Sequence, residues 1–516
     1  MGKTRAVSIA KPTGELRPIG SLLSYQAQRD PDAPAYTFEG KTITRSELDA
    51  RCNRRARAFA ALGVTQGDFV TIGLPNGLEF HETAMAIWKL GATPAPVSHK
   101  LPDHELRAIV ELVQPRLVVG FGQDRTPGFH TLDPGFEPDP ALSDAPLPDC
   151  APKYLKATTS GGSTGRPKVI VDHKPGLFDP AQTLMGMEVD DTILNPAPLY
   201  HNAPFGFTHM AMCWGAHLVE MPKFDAEETL RLIDAYKIRW LYLVPTMMNR
   251  IMALPEEVRA RHDISSLELM VHMAAACPVW LKERWIELLG PEKVWEVYAG
   301  TEGVGGTTID GVAWLQHKGS VGKINADLVR IVSDEGVDAP TGEVGEIYFR
   351  PATGRGSTYH YIGAEPKVFE DWESYGDLGW LDADGYLYLA DRRTDMIISG
   401  GANIFPAEIE AALDAHGAVG SSVVVGLPDD DLGHRSHAII EVRPGSAPPE
   451  PGELERFLAE RLARYKLPYT YELVDEPLRS DAGKVRRSAL RDERIAWARD
   501  GRKFASLRAP RSEPAA

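Results

Sequence analysis

The sequence is poor in cysteine and lacks long apolar runs. Its 516 residues include four cysteines, Cys52, Cys150, Cys213 and Cys277, none of them in a CxxC pair. Spacing therefore predicts neither a zinc site nor a disulfide framework, and a reducing, cytoplasmic setting accounts for this usage most simply. No stretch reaches the ~18 consecutive apolar residues of a membrane span, and the N-terminus lacks the apolar core of a secretory signal. We expect a protein without a membrane span or anchor.

Positive charge is also in deficit. The chain has 56 Lys and Arg against 72 Asp and Glu, a formal net charge of −16. An acidic surface repels phosphate backbones, so no nucleic-acid partner is expected. The one basic stretch, residues 484–511, has acidic residues interleaved and predicts a solvated helical face. With 43% apolar and 25% charged residues, the composition is that of a globular protein.

Helix and strand signals alternate through the first part of the chain. Thr44 and Glu47 form a capping-box pattern, and apolar residues then recur at helical spacing up to Gly63. Short apolar runs at 69–74, 116–120, 240–244 and 294–298 are typical of strands. Strands that alternate with helices predict an α/β fold with parallel sheets covered by helices.

The pattern becomes shorter beyond residue 395. It predicts helices at 406–415 and 452–465 and strands at 422–426, 437–442 and 471–474, which together suit a compact α+β domain. We therefore divide the chain into a large N-terminal domain (1–393), a small C-terminal domain (394–500) and a tail (501–516).

A loop rich in glycine and hydroxyl groups, TTSGGSTGRPK, occupies residues 158–168. Glycines let the backbone approach an anion, hydroxyls donate hydrogen bonds, and Lys168 supplies charge, so the loop is a candidate phosphate cradle. It is not a Walker A loop, because Gly165 is followed by Arg166 and Pro167 rather than by Lys and Ser or Thr. Taken alone, a flexible surface loop explains it equally well.

The loop is the first of six motifs in a fixed order. The others are PLYHNAPF (198–205), VYAGTE (297–302), YGDLG (375–379), DRRTDMIISGGANIFPAEIE (391–410) and RSDAGKVRR (479–487). This series resembles the adenylate-forming superfamily of acyl- and aryl-CoA ligases, adenylation domains and luciferases, over residues ~150 to ~490. The SGGxNIxPxEIE string and the length are most similar to a CoA ligase, with a large α/β domain and a small mobile α+β domain.

The resemblance implies an ATP site with Mg²⁺. Thr301 donates to the α-phosphate, Glu302 holds Mg²⁺, and Asp377 accepts from both ribose hydroxyls with help from Arg392. Ser163-Thr164 stands where the family usually has Thr-Thr, which keeps the hydroxyls. The adenine faces the small residues 274–276, for which a tightly packed strand end is an equally good interpretation. The remaining ATP-binding positions are Thr159, Ser160, Gly161, Gly162, Ser163, Thr164, Gly165, Lys168, Ala275, Ala276 and Tyr298.

Catalytic and acid-binding positions follow from the same resemblance. Lys484 is the catalytic lysine of adenylation, and His201 stands at the mouth of the acid pocket, where a purely structural histidine is the alternative interpretation. The pocket is lined by Asn202, Ala203, Val244 and Gly300. Ser399, Gly400 and Gly401 form the loop that approaches the thiol of CoA. The basic stretch that begins at Lys484 is an alternative partner for the CoA phosphates, although a solvated face is the preferred interpretation. Thr394 occupies the hinge position, where the family usually has Asp or Lys.

Several functions share these motifs. The first prediction is activation of a small carboxylic acid to acyl-AMP, followed by thioester formation with CoA. The alternatives are loading of a carrier protein, activation of nitrite in a diazo-forming reaction, a luciferase-type oxygenase and a catalytically silent nucleotide-binding regulator. PLYHNAPF has no acidic residue for an α-amine, which disfavours amino-acid substrates. Asn202, Tyr242 and Met247 indicate a medium-sized, partly polar cavity for an aromatic, cinnamate-like or polycyclic acid, although an ordinary core aromatic explains Tyr242 equally well. A homodimer is the default assembly.

Overall fold

The computed structural model describes residues 14–160, 167–181, 184–429, 431–480 and 483–507. The α-helices are α1 (Ile19–Arg29), α2 (Arg45–Ala61), α3 (Leu78–Lys89), α4 (Asp103–Val113), α5 (Asn202–Cys213), α6 (Ala226–Tyr236), α7 (Pro245–Met252), α8 (Glu256–Arg259), α9 (Val279–Leu289), α10 (Gly311–Gln316), α11 (Pro406–Asp414), α12 (Pro451–Ala459) and α13 (Arg487–Arg499).

The strands are β1 (Arg17–Pro18), β2 (Pro34–Phe38), β3 (Lys41–Thr44), β4 (Phe69–Ile72), β5 (Thr93–Pro96), β6 (Leu117–Val119), β7 (Thr131–Leu132), β8 (Lys156–Ser160), β9 (Lys168–Asp172), β10 (Leu177–Phe178), β11 (Thr192–Asn195), β12 (His217–Glu220), β13 (Trp240–Leu243), β14 (Leu269–Met273), β15 (Val294–Ala299), β16 (Gly306–Asp310), β17 (Ser320–Lys323), β18 (Val329–Val332), β19 (Gly345–Phe349), β20 (Tyr359–Ile362), β21 (Lys367–Phe369), β22 (Trp372–Ser374), β23 (Asp377–Leu381), β24 (Tyr386–Arg392), β25 (Ile397–Ser399), β26 (Ala402–Ile404), β27 (Val419–Asp429), β28 (Gly433–Val442), β29 (Thr470–Val474) and β30 (Ala505–Ser506).

An eight-stranded sheet forms the centre of the large domain, in the order β16-β15-β14-β13-β11-β12-β2-β3. The six inner strands run parallel, and the two edge strands run antiparallel to their neighbours. Most residues of the inner strands are buried, as a sheet with helices on both faces requires. The predicted α/β architecture is confirmed, and the carboxyl ends of β11, β13, β14 and β15 meet at one edge.

Four further sheets complete the described part of the large domain, and the smallest of them is the antiparallel pair β1-β10. The parallel sheet β5-β4-β6-β7 follows the helix and strand alternation predicted for the first part of the chain. An antiparallel sheet, β17-β24-β23-β19-β22-β21 with β18 on β19, and the sheet β20-β9-β8 were not predicted. Their strands between residues 320 and 392 are three to seven residues long and mix polar with apolar side chains, so their hydrophobic periodicity is weak.

The capping box at the start of α2 is confirmed in both directions. The Thr44 hydroxyl accepts from the backbone N–H of Glu47 at 3.2 Å, and the Glu47 carboxylate accepts from the N–H of Thr44 at 2.8 Å. The helix ends before Gly63, whose φ of +85° is the left-handed conformation that glycine adopts without strain. Leu48, Cys52 and Phe59 point inward and are at most 1% exposed.

The small domain is built on the sheet β26-β25-β28-β29-β30, with β27 paired to β28. The predicted tail is wrong for residues 501–507, because Ala505 and Ser506 pair with β29 and Leu507 is 1% exposed in the core. The predicted helix 452–465 is too long. It ends at Ala459, and the chain turns so that Leu462 and Leu467 pack into the same core as Leu458.

The basic stretch near the C-terminus is only partly solvated. Arg494 on α13 is 4% exposed and donates to Glu472 of β29 at 2.6 Å. Arg487 donates to Glu410 of α11 and to the Val424 carbonyl. The prediction of a wholly solvated helical face is therefore wrong for these two arginines, which hold α13 against the small domain. None of the described helices is long and apolar enough to cross a membrane.

Acid is expected to destabilise the large domain through buried histidines. Burial lowers the pKa of His217 to about 4, and burial with the Lys484 charge lowers that of His201 to about 3. An unfolded histidine binds a proton below pH ~6.5, so between these values the unfolded state binds more protons and stability falls as the pH falls. The thermal midpoint should drop between pH 6.5 and 4. His217→Gln should make that slope shallower, and an unchanged slope would contradict the assignment.

Candidate functional site

The predicted site residues converge on one edge of the central sheet. Gly300, Thr301 and Glu302 follow β15, the segment 274–276 follows β14, and Val244 follows β13. Because these three strands are parallel neighbours, segments far apart in sequence lie side by side. Ala274 has a φ of +75°, a left-handed conformation that is rare for a residue with a side chain. This strain marks the segment predicted to face adenine.

The predicted phosphate loop joins the two strands of a hairpin. Residues Ser160 and Lys168 pair across β8 and β9, so the intervening residues connect the ends of two adjacent antiparallel strands. Five of the residues predicted to bind phosphate lie outside the described residues: Gly161, Gly162, Ser163, Thr164 and Gly165. Lys168, at the base of the hairpin, lies close to Glu302, its Nζ 3.8 Å from Oε1.

Glu302 is held from one side only. Its Oε1 accepts a hydrogen bond from the Tyr361 hydroxyl at 2.6 Å, and Lys168 Nζ lies 3.9 Å from the centre of the Tyr361 ring. Oε2 accepts no hydrogen bond within the described part of the chain. Loss of hydration, reinforced by Arg392 and opposed by Glu302, lowers the pKa of Lys168. The site thus presents one free carboxylate oxygen beside a cation.

Asp377 and Arg392 are brought together by a hairpin. They stand directly opposite each other on β23 and β24, and Arg392 Nε lies 3.3 Å from Asp377 Oδ1. The Tyr298 hydroxyl, from the end of β15, donates to Asp377 Oδ2 at 2.8 Å. Burial, followed by the charge of Asp377, raises the pKa of Tyr298, so this hydroxyl stays a donor. Asp377 is therefore fixed between two sheets.

Lys484 comes from the small domain and reaches the same charges. The Lys484 side chain is exposed to solvent, but the surrounding protein removes part of its hydration. This loss of hydration lowers the pKa of Lys484. The charge of Arg392 lowers it further, and the charge of Glu302 raises it. Gly483, one residue earlier, packs on the large domain, since a Cβ there would lie 3.0 Å from Thr246 Oγ1 and 3.3 Å from Val244 Cγ2. The structure brings Lys484, Glu302 and Arg392 into electrostatic contact.

His201 and Asn202 stand at the start of α5. His201 caps the helix without a side-chain hydrogen bond to it, and its Nε2 is buried without a partner among the described residues, as is Asn202 Oδ1. Since the pKa of His201 is lowered to about 3, its ring is neutral at physiological pH. Two unsatisfied polar atoms at one helix end fit a polar group from a ligand.

The remaining predicted pocket positions differ in what they face. Val244 is 2% exposed, and Ala203 packs partly buried against the main core. Gly300 faces the ring of Tyr375, because a Cβ would lie 2.2 Å from Tyr375 Cε1. Packing against Tyr375 therefore already explains why residue 300 is a glycine.

Two aromatic rings beside this pocket lie between α5 and the sheet. Phe207 of α5 lies 5.6 Å from the Tyr242 ring and 5.3 Å from the Trp240 ring. The Tyr242 hydroxyl makes no hydrogen bond within the described residues.

The segment joining the domains carries the predicted hinge and CoA loop. Thr394 is exposed and lies in a turn after β24. Its neighbour Arg393 pairs with Glu346 of the large domain, and Asp395 pairs with Arg487 of the small one. Gly400 and Gly401 form the two-residue turn of the hairpin β25–β26, with φ of +55° and +81°, and Ser399 is 8% exposed. Positive φ at both central residues is the type I′ pattern that glycine favours.

Comparison with known proteins decides the family. The AMP-binding enzyme model matches residues 23–359, and the AMP-binding enzyme C-terminal domain model matches residues 408–484. The chain belongs to the AMP-binding enzyme family. The resemblance inferred from the six motifs is confirmed.

Relatives of this AMP-binding enzyme align along nearly its whole length. Feruloyl-CoA synthase of Amycolatopsis sp. is 31% identical over 490 residues, 92% of this chain and 98% of the relative. Fatty acid–[acyl-carrier-protein] ligase ScoC of Streptomyces coeruleorubidus is 28% identical over 520 residues, 93% and 96%.

A solved structure agrees with the fold. The o-succinylbenzoate CoA synthetase of Bacillus subtilis, in complex with its acyl-adenylate intermediate, has a TM-score of 0.77 and 26% identity, and the alignment covers 92% of this chain and 98% of that one. The same synthetase has also been solved with ATP and magnesium ion, with a TM-score of 0.75, 26% identity and coverage of 91% and 99%.

Sequence reasoning missed two tyrosines of this AMP-binding enzyme. Tyr361 holds Glu302, and Tyr375 fills the space at Gly300 while its hydroxyl donates to the Gly305 carbonyl at 2.8 Å. Tyr375 lies inside the motif YGDLG, directly before Gly376 and Asp377, and that position was the available signal. Tyr361 gave none, because it reaches Glu302 only through the pairing of β20 with β9.

Removing the Tyr298 hydroxyl is expected to weaken nucleotide binding. Tyr298→Phe leaves Asp377 with one of its two side-chain partners, and a hydrogen bond to a charged group is worth enough that we expect the KM for ATP to rise about tenfold. Steady-state kinetics would measure it. Tyr375→Phe is the matched control, since its hydroxyl bonds backbone groups, Gly305 among them, rather than Asp377. Equal effects of the two variants would contradict a specific role.

Proposed function

We propose that this chain activates a carboxylic acid with ATP and passes the acyl group to coenzyme A. The observation that carries the proposal is the convergence of Lys168, Glu302, Asp377, Arg392 and Lys484 in a member of the AMP-binding enzyme family. Cations for phosphates, an acceptor for ribose hydroxyls and a carboxylate for a hard metal ion stand together there. Feruloyl-CoA synthase and the solved synthetase carry transfer to CoA in their names, whereas the name of ScoC specifies an acyl carrier protein.

In the first step a carboxylate oxygen attacks the α-phosphorus of ATP. A new P–O bond forms as the bond from the α-phosphorus to the bridging oxygen breaks, and pyrophosphate leaves with its electron pair. The attack brings two anions together and builds charge on the phosphoryl oxygens, so Lys484 stabilises the transition state electrostatically. Lys168 balances the charge of the leaving pyrophosphate.

The nucleotide is oriented by groups already fixed in the fold. Asp377 accepts only, so its oxygens suit two ribose hydroxyls, and Tyr298 and Arg392 hold its orientation. Thr301, directly after β15, donates to the α-phosphate. The segment 274–276 has no large side chain, which lets the flat adenine ring lie against the backbone.

A magnesium ion fits the donor set at Glu302. Mg²⁺ prefers carboxylate and phosphate oxygens and usually takes one or two carboxylates from the protein, and Glu302 Oε2 is free among the described residues. When bound, Mg²⁺ neutralises charge on the phosphates. Tyr361 fixes the carboxylate that would hold it.

In the second step a thiol displaces AMP. The thiol sulfur forms a bond to the acyl carbon, the bond from that carbon to the AMP oxygen breaks, and the thiol proton is released. The narrow glycine turn of Ser399-Gly400-Gly401 leaves room for the pantetheine chain of CoA to pass close to the backbone. His201, neutral at assay pH, and Asn202 offer hydrogen bonds at the mouth of the acid pocket, which Ala203, Val244 and Gly300 line.

The deciding experiment measures pyrophosphate release with Mg-ATP across aryl, fatty and alicyclic acids and nitrite, with and without CoA. Release with an organic acid, and a CoA thioester of matching mass, supports the proposal. A thioester formed only on a carrier protein, the acceptor named for the relative ScoC, would contradict transfer to coenzyme A. Release only with nitrite and an amine, or no release with any acid, would contradict it.

A further inference from the structure

The segment that carries Lys484 is fastened to the large domain by a charge pair. Arg486, the residue preceding α13, donates from its two terminal nitrogens to the two carboxylate oxygens of Glu105, at 3.2 and 3.4 Å. Glu105 lies in the first turn of α4, and the two residues are 381 positions apart. A planar guanidinium facing a carboxylate with two contacts fixes orientation as well as distance.

Lys484 lies two residues before Arg486, and hydrogen bonds to Ser480 hold it on its N-terminal side. The Ser480 N–H donates to the Lys484 carbonyl at 2.9 Å, and the Lys484 N–H donates to the Ser480 hydroxyl at 3.2 Å. On the other side Gly483 is packed against Thr246 and Val244. Lys484 is thus bracketed by two contacts with the large domain, one at residue 483 and one at residue 486.

We infer that Arg486 and Glu105 are positioning residues for Lys484 in the adenylation step, an inference that rests on the proposed function. The charge stabilisation that Lys484 gives depends on its distance from the α-phosphate. Without the pair, the Lys484 segment keeps the Gly483 contact but loses its contact with the large domain at residue 486. Arg486 is 72% exposed and Glu105 33%, so the effect is modest and falls as salt rises.

The test separates the two half-reactions. Arg486→Gln and Glu105→Gln should each slow pyrophosphate release about threefold at saturating substrates, and the double variant should be no slower than either single one. The exchanged pair, Arg486→Glu with Glu105→Arg, should recover most of the rate. Thioester formation from supplied acyl-adenylate should stay unchanged in all four, because Lys484 acts only in the first step.

Controls use the same two helices. Arg491→Gln on α13 removes an arginine that pairs only with its neighbour Asp492 among the described residues, and Glu111→Gln on α4 removes a glutamate without an ion pair there. Both should behave as wild type. Additive losses, no loss, an equal loss in both half-reactions or no recovery in the exchanged pair would overturn the inference.

Hydrogen exchange tests the Arg486–Glu105 contact independently of enzyme activity. Amides of the first turn of α4 and of residues 483–490 should exchange faster in Arg486→Gln than in wild type or Arg491→Gln. Unchanged exchange would overturn the contact itself. The two failures are distinguishable. If amides exchange faster in Arg486→Gln but the wild-type protein releases no pyrophosphate with any acid, the contact stands and the proposed function is contradicted. The catalytic role of the pair is then contradicted as well.

Discussion

Lys484→Ala is expected to slow the adenylation half-reaction by about 10²- to 10³-fold, the range seen when one electrostatic group is removed from a transition state. Lys484 is the cation that the small domain brings to Glu302 and Arg392, and its lowered pKa follows from lost hydration and from Arg392. Its loss leaves the attacking carboxylate and the α-phosphate without that charge. Pyrophosphate release at saturating Mg-ATP and acid would measure the effect.

The second half-reaction supplies the internal control for Lys484→Ala. Acyl-adenylate added together with CoA bypasses the first step, and thioester formation from it should proceed at close to the wild-type rate. Lys503→Ala, a change at an exposed lysine of the same domain, should leave both steps intact. Equal losses in both steps would show that Lys484 supports the fold rather than the first reaction.

Glu302→Gln is expected to give the second large effect, a loss of about 10²-fold at limiting magnesium. The amide keeps the shape and can still accept from Tyr361, but it removes the only charge at that position and leaves Lys168 without its carboxylate partner. Carboxylate oxygens are the ligands that Mg²⁺ prefers. The magnesium concentration for half-maximal pyrophosphate release should rise at least ~10-fold, with partial recovery at high magnesium.

Two further variants test whether the effect of Glu302→Gln comes from the loss of its charge. Tyr361→Phe removes the hydroxyl that fixes the carboxylate but keeps its charge, so its magnesium requirement should shift less. Glu287→Gln, at an exposed glutamate on α9, should not shift it. A uniform loss of rate at every magnesium concentration would contradict a metal-holding role for Glu302.

The candidate catalytic groups could be proposed from the sequence because their chemistry is local in the chain. The glycine and hydroxyl loop, the Gly-Thr-Glu after a strand and the Gly-Lys near the end are each short strings whose residue types suit phosphate, metal and charge. The capping box at Thr44 and the strand before Thr301 were predictable for the same reason, since capping and alternation act within a few residues. The family models then matched the two regions these strings span.

The partners of those groups were decided by the tertiary structure alone. Asp377 meets Arg392 through the register of β23 and β24, and Tyr361 meets Glu302 through β20 on β9. Arg486 meets Glu105 only because the small domain sits on the large one. Such contacts depend on pairings between distant segments, which leave no periodic pattern in the sequence.

The predicted tail also separates what the sequence predicts from what the tertiary structure decides. Residues 501–507 carry little hydrophobic periodicity, yet Leu507 is buried because β29 offers an unpaired edge to Ala505 and Ser506. The sequence by itself determined which chemical groups this protein has and in what order, since these are properties of short segments. Only the tertiary structure decided which group faces which, because hydrogen bonds, ion pairs and burial are set by neighbours in space.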